Sequence, residues 1–558
     1  MSSGPGTEAS PTLTTALQAR MQRPQRHRLL QGYPAVPLMG PAVPPWTPND
    51  DAGRSERGEL RRLFDGTVVD TRASLAALAL TRPPSPEAPH PEIQARWAAL
   101  DRKRLARLED QAALPSLAQP PVVAVDPTRS LIVGVLPHTQ CTPRVEGCGF
   151  CTFPHDAPTD KQTRGFIVNT VRGDIAHVLQ AESLKGRAVD AVYFGGGTAN
   201  LTAVSELRSL FGTLAASLDL RGAEVSLEGI PALFTSWFHA PLKMLAELPV
   251  RRKRISMGVQ TFDRHFIEMM GRQSFGDQSL IQRLVRKCRS MDIGTSGDFL
   301  FNLPGQTLEG MSDDVDRAVA CGFDQICLYN LVLYKGLGTL WSEMPLLVDA
   351  MPSNDAACAH WLSLRTRLLS AGYVQTTLTN FERSDVASGE RAFVYERASF
   401  SPERTDGLGF GPLSISTFID SRAQKGLKLL RRKNMSYRPW SGDDLFYVYG
   451  PAELRVLFVT RSLAKASFSR AAYTSMFQSE VLDDFSASFS ALQMADLING
   501  ARNDDVVSLT PRGMFYSDSV VATFATEQKI ASERALGMHT TALLAEPLQT
   551  AVDYYGMG

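Results

Sequence analysis

The sequence contains no apolar run of about 18 residues or more, so no segment reads as a membrane-spanning helix. Its first residues lack the basic-then-apolar pattern of a secretion signal. Neither sign of charge is in excess: 58 Lys plus Arg stand against 58 Asp plus Glu. That balance gives no footprint for a nucleic acid or an anionic membrane surface. Cysteine is scarce and odd in number, seven in 558 residues, which argues against a disulfide framework and for the reducing cytoplasm. There is no internal repeat, and no low-complexity tract beyond the N-terminus. What is present is ordinary for a large packed core: 44% hydrophobic and 21% charged residues. At about 150 residues per domain, the length suggests three or four domains, or one large domain with additions.

Texture divides the chain. Residues 1–26, rich in Ser, Thr, Pro, Gly and Arg, read as a disordered tail. Residues 27–120 read as an arm and helical extension. Prolines at 34, 37, 41, 44 and 45 forbid a regular helix over 27–50, residues 82–92 form a Pro-rich linker, and a helix is expected around 92–112. From 121 to 385, short apolar runs alternate with amphipathic stretches. Strands are expected at 122–125, 131–136, 191–197, 225–229, 254–260, 296–305 and 325–333. Helices are expected at 164–184, 203–217, 240–248, 262–272, 276–291 and 308–321. The apolar runs are continuous, the mark of strands covered on both faces. Alternation of this kind predicts an α/β fold, a partial or full β/α (TIM-like) barrel whose chemistry gathers at the C-terminal strand ends. A connecting segment follows at 386–444. A small winged-helix-type domain is expected at 445–535, with a strand, turn and helix over 506–524, and then a tail at 536–558.

Three of the seven cysteines crowd into eleven residues as Cys141, Cys148 and Cys151, with C-x6-C-x2-C spacing. Thiolates are soft ligands for iron–sulfur clusters and for zinc. A C-x2-C loop lets two sulfurs reach one centre, and Gly149 relaxes the backbone between them. A [4Fe–4S] cluster takes four cysteines as a rule, so three would leave one iron open to a small ligand. The local pattern fits a zinc site with His138 as fourth ligand equally well. Cys288, Cys321, Cys327 and Cys358 sit in helix- or strand-like stretches and read as packing residues.

The later segments decide between these. YFGGGTANLT (193–202), SLEGIP (226–231), ISMGVQTFD (255–263), GRQ (271–273), DFLFNLPGQT (298–307), CLYNLVLYKGLGT (327–339), GYVQTTLTNFER (372–383) and LGFGPLSIS (408–416) occur in one order. This ordered set resembles the oxygen-independent coproporphyrinogen III oxidase-like branch of the radical S-adenosylmethionine (SAM) enzymes. LTPRGMFYSDSVV at 509–521 resembles that branch's C-terminal domain. The resemblance implies a radical SAM barrel, a [4Fe–4S] cluster on the three cysteines, and SAM chelating the open iron. It implies that Gly195, Gly196, Gly197 and Thr198 meet the amino group of the methionine moiety. Glu228, Gln260, Arg272 and Asp298 match polar SAM-contacting positions, and Phe150 matches an aromatic near adenine. Taken singly, those four polar residues would read as ordinary loop positions. A small-molecule substrate and an electron donor such as flavodoxin or ferredoxin are implied as partners.

The chain departs from the branch in three places. Three extra residues separate the first two cysteines, because the branch uses C-x3-C-x2-C. Leu413 stands where a histidine is usual, and ERAFVYE at 390–396 replaces a His-containing stretch of haem-handling relatives. These losses favour a radical SAM enzyme that moves a methyl or methylene carbon to an sp2 carbon of a small molecule, on one or two SAM molecules. The alternatives are oxidative decarboxylation of coproporphyrinogen III and haem binding or trafficking without turnover.

Overall fold

The computed structural model describes residues 126–153, 159, 161–335, 337, 339–430, 445–500 and 504–535, together with 14, 17, 18, 21, 22, 68 and 69. The expected proline-rich arm over 27–50, the linker at 82–92, the helix near 92–112, the strand at 122–125 and the 536–558 tail lie outside the described residues.

Among the described residues one strand precedes the barrel region, β1 (Val68–Val69). Six parallel strands then pair in chain order: β2 (Ser130–Val135), β3 (Val189–Phe194), β4 (Glu224–Gly229), β5 (Arg252–Gln260), β6 (Gly294–Phe301) and β7 (Gln325–Asn330). Every one lies where an apolar run predicts a strand. In β2, Leu131, Ile132, Val133 and Val135 are all fully buried, because helices cover one face and the barrel interior the other. Leu131, Val133 and Val135 join the main core, while Ile132 packs inward with Ala191 and Tyr193. A buried aliphatic side chain of this kind contributes about 1.5–3 kcal/mol.

The six expected helices occur as Lys161–Val178, Val204–Ala215, Ser236–Ala246, Arg264–Met269, Gln278–Arg289 and Leu308–Cys321. Local signals set their ends. Asp277 and Thr307 accept N-cap bonds from Leu280 and Gly310, and Gly322 closes the last helix in the left-handed conformation.

Among the described residues the sheet stays open, which is the partial form of the expected barrel. β8 (Tyr373–Gln375) and β9 (Asn380–Arg383) run antiparallel beyond β7. On the other side β10 (Thr405–Phe410) adds a seventh parallel strand beside β2. Antiparallel β11 (Ile415–Asp420), β12 (Lys425–Leu430) and β13 (Leu445–Tyr449) follow it, and β1 pairs with β13 at the edge. The two outermost strands do not meet.

Three expectations need correction. The 386–444 segment is no mere connector, since β10, β11 and β12 come from it. β13 belongs to the main sheet, so the C-terminal unit begins at the helix Pro451–Ser462. Within the expected 1–26 tail, Thr14, Leu17, Gln18 and Met21 are helical, and Leu17 and Met21 are buried in the main core. Those two residues are four apart and share one helix face, a pair too short to stand out in a polar context. Asn354 Nδ2 donates to the Met21 carbonyl at 2.8 Å.

The floor of the barrel is closed by residues 390–400. Glu224 at the start of β4 accepts from the Val394 amide at 2.9 Å, and Arg254 of β5 pairs with Glu396. Tyr395 stacks on Tyr193 with ring centroids 4.5 Å apart. The C-terminal unit carries a small antiparallel sheet of β14 (Ser467–Ser469), β15 (Ile498–Asn499) and β16 (Val506–Leu509), ordered β14-β16-β15. As the 506–524 pattern predicts, β16 leads through a turn into the helices Pro511–Phe515 and Ser517–Ala535.

Candidate active site

The C-terminal ends of the parallel strands enclose a cavity of about 200 Å³. Glu228 is the next-to-last residue of β4, Gln260 ends β5, Asp298 lies within β6 and Tyr329 is next to last in β7. Thr198, Gly196 and Gly197 come from the turn after β3, and the three cysteines from the loop after β2.

The cysteine loop turns tightly. Gly147, Cys148 and Gly149 are consecutive left-handed residues, with φ of 56°, 53° and 82°. The Cys151 amide donates to the Gly147 carbonyl at 2.7 Å, closing the turn so that all three cysteines line the cavity. Trp341 packs against the back of this turn. A Cβ on Gly149 would lie 2.0 Å from its Nε1, so only glycine fits. Between the first two cysteines, the Arg144 amide donates to the Gly271 carbonyl at 3.1 Å.

The glycine turn passes close to the same loop. The Thr198 amide donates to the Gln140 carbonyl at 2.9 Å. A Cβ on Gly197 would meet that carbonyl oxygen at 2.5 Å, so glycine is what permits the approach. Thr198 Oγ1 lies 3.0 Å from Cys141 Sγ. Arg272 Nη1 donates to Cys148 Sγ at 3.3 Å, and its guanidinium lies 4.2 Å over the Phe275 ring.

The electrostatics of the pocket follow from burial. Burial, then the nearby Asp298 charge, pushes the Glu228 carboxyl up to about 8. Burial raises Asp298 to about 6 against the pull of Arg254. One Glu228 oxygen, Oε2, is buried without a hydrogen-bond partner among the described residues. Burial also lifts the Cys151 thiol to about 12 and raises Cys141. Uncompensated thiolates are therefore disfavoured here, and a cationic centre would ionise them.

Of the twelve residues singled out from the sequence, eleven line this one cavity: Cys141, Cys148, Cys151, Phe150, Gly196, Gly197, Thr198, Glu228, Gln260, Arg272 and Asp298. Gly195 does not. It packs beneath, where a Cβ would strike Tyr193 and Glu228. His138 lies outside the lining; it is fully buried, and its Nδ1 accepts from the Gln140 amide at 3.2 Å. Among the described residues, no three His, Cys, Asp or Glu side chains converge as a single ion would need. Cys288, Cys321, Cys327 and Cys358 are buried, as packing residues are. Sequence reading missed Gly258, Phe275 and Leu300 in the wall. Strand periodicity offered a signal for two of them, since Gly258 precedes Gln260 by two positions and Leu300 follows Asp298 by two.

A parallel β/α sheet with three loop cysteines, a glycine turn and buried polar groups at one strand-end cavity has the donor types that a metal cluster and a small cofactor would need. Residues 137–318 match the Radical SAM superfamily. The mouse protein "Radical S-adenosyl methionine domain-containing protein 1, mitochondrial" is 27% identical over 362 residues, 64% of this chain and 75% of that protein. The oxygen-independent coproporphyrinogen III oxidase of Synechocystis is 25% identical over 61% of this chain and 74% of its own. The solved structure of Escherichia coli coproporphyrinogen III oxidase superposes with a TM-score of 0.56 at 19% identity, covering 72% of this chain and 92% of that one, a likeness of fold. Residues 137–318 thus carry a match to the radical SAM superfamily, and the relatives that the chain resembles include oxygen-independent coproporphyrinogen III oxidases. The cofactors of that superfamily are a [4Fe–4S] cluster and SAM. The lining has the donor types for both: the three cysteines, the Glu228 carboxylate with its unpartnered oxygen, and the Arg272 guanidinium.

Proposed function

We propose that this chain binds a [4Fe–4S] cluster through Cys141, Cys148 and Cys151, cleaves SAM, and transfers a methyl or methylene carbon to an sp2 carbon of a small molecule. The observation that carries the SAM reading is that one cavity is lined by all three loop cysteines, a glycine turn, a carboxylate with an unpartnered oxygen and a buried guanidinium. When bound, the reduced cluster and SAM supply a 5′-deoxyadenosyl radical that removes a hydrogen atom. This chain's own residues bind, orient and exclude water. Arg272 would hold the SAM carboxylate and Glu228 its ammonium, with the backbone of Gly196, Gly197 and Thr198 beside it. Gln260 and Asp298 would face the ribose, and Phe150 the adenine. Ile230, Phe275, Leu300 and Tyr329 give the wall an apolar surface that keeps water from a reactive carbon centre. All seven cysteines are free, which suits the reducing cytoplasm and an electron donor of the flavodoxin or ferredoxin kind.

Two features favour carbon transfer over porphyrinogen decarboxylation or haem trafficking. The 390–396 stretch carries no histidine and serves as the barrel floor, with Val394 bound to Glu224 and Glu396 bound to Arg254. Leu413, in the place of a usual histidine, is buried and apolar. The test is product analysis with methyl-labelled SAM on the anaerobically reconstituted protein. The expected result is 5′-deoxyadenosine together with S-adenosylhomocysteine, and the label in product. Carbon dioxide release from coproporphyrinogen III without S-adenosylhomocysteine would replace carbon transfer by decarboxylation. Haem retention with no SAM cleavage would replace it by trafficking. Cys148→Ala is expected to lose iron and SAM cleavage together.

A further inference from the structure

Among the described residues, Arg272 is a buried guanidinium with no carboxylate partner. It is 7% exposed, its Nη2 donates to the Gly258 carbonyl, its Nε is unpartnered, and its plane rests on Phe275. Its remaining polar contact is the 3.3 Å hydrogen bond from Nη1 to Cys148 Sγ. Burying a positive charge is costly unless a negative group answers it. Within its reach lies the Cys148 sulfur, which would carry negative charge as a ligand of the proposed cluster.

Thr198 stands in the same relation to Cys141. Its side chain is buried, its amide is tied to the Gln140 carbonyl, and Oγ1 lies 3.0 Å from Cys141 Sγ. With the sulfur held as a metal-bound thiolate, the hydroxyl is the donor. The third sulfur, on Cys151, receives the backbone amide of Phe153 instead. Two of three sulfurs therefore accept from side chains that also line the cofactor cavity.

We propose that Thr198 and Arg272 are positioning residues that raise the reduction potential of the cluster by donating hydrogen bonds to the Cys141 and Cys148 sulfurs. The inference rests on the cluster assignment above. Uptake of one electron from an external reductant breaks no bond and adds one negative charge to the thiolate-held cluster. Donors on the sulfurs stabilise that charge, so the reduced state becomes easier to reach. The contribution of Arg272 is the larger, because its donor is itself charged.

The test uses the full chain, reconstituted anaerobically with iron and sulfide and kept free of SAM. Redox titration followed by electron paramagnetic resonance of the reduced cluster gives the midpoint. Thr198→Val, which keeps the shape and removes the hydroxyl, is expected to shift the midpoint to more negative potential, while Thr198→Ser stays near the parent. Arg272→Gln is expected to shift it further in the same direction, with Arg272→Lys between Gln and the parent. Iron content near four per chain in all five proteins shows that the cluster is retained. Unchanged midpoints in Thr198→Val and Arg272→Gln, with iron retained, would overturn the inference and leave the cluster assignment standing. Failure of the unaltered chain to assemble a cubane would overturn both.

Discussion

Glu228 shows how one side chain records what the site is made for. Its carboxyl ionises near 4.5 in an unfolded chain and near 8 in the ligand-free native state, because burial and the Asp298 charge disfavour the anion. Between those values the native state holds a proton that the unfolded chain has lost. Stability is therefore fullest on the acid side and falls as pH rises through the window, by at most about 1.4 kcal/mol per pH unit from this group. Asp298 adds a similar, narrower loss between 3.8 and about 6. Glu228→Gln should flatten the fall. Melting temperatures of the cofactor-free chain, measured between about pH 5 and pH 8, are expected to drop less steeply in the variant. Parallel slopes would mean that Glu228 ionises freely. In the proposed reading, an ammonium placed beside Oε2 would supply the charge that burial withholds.

At the scale of elements, one buried ion triad holds the seventh parallel strand. Asp406 of β10 accepts from Arg129 Nε at 2.8 Å and from Arg187 Nη2 at 2.7 Å. Arg129 precedes β2 and Arg187 precedes β3, so the carboxylate pins three strands at the end remote from the cavity. Arg129 also donates to the carbonyls of Pro402 and Thr405, and Arg187 to the carbonyl of Arg129. Removing the anion leaves two guanidiniums buried beside each other. Asp406→Ala should cost about 3–5 kcal/mol. Chemical denaturation checks this; a loss within error of zero would mean that the strand is held by its backbone ladder alone. The cysteine loop is held differently, by shape, since the Gly149 backbone lies flat against Trp341.

Over the whole molecule, the C-terminal unit shares its core with the sheet. Trp361 is fully buried in the helix Asn354–Ser370. It stacks on Phe301 of β6 at 6.0 Å, meets Phe381 of β9 edge-on at 5.8 Å, and donates from Nε1 to the Pro511 carbonyl at 3.4 Å. Tyr516 and Asp355 meet nearby at 3.3 Å, and Arg461 donates to the Ser399 carbonyl. With the core continuous across this junction, calorimetry should show both parts melting in one transition. Trp361→Ala should lower that transition by about 3–5 kcal/mol in stability. Two separate melting events in the unaltered chain would contradict a shared core.

The sequence by itself determined the six strands from β2 to β7, the six helices between them, and eleven of the residues that line the cavity. Continuous apolar runs and 3.6-residue periodicity are local properties, and a strand's end fixes which of its residues reach the top of the sheet. Glu228 and Asp298 could be named before their surroundings were known, because motif order carries position. The tertiary structure alone decided the open form of the sheet, the recruitment of β10 to β13 from a stretch that reads as a connector, and the burial of Leu17 and Met21. It also decided that Gly195 lies beneath the cavity, and that Thr198 and Arg272 reach two different sulfurs. Those outcomes depend on contacts between residues up to hundreds of positions apart. Such pairings leave no mark on either segment's own pattern, because the free energy that fixes them belongs to the packed pair.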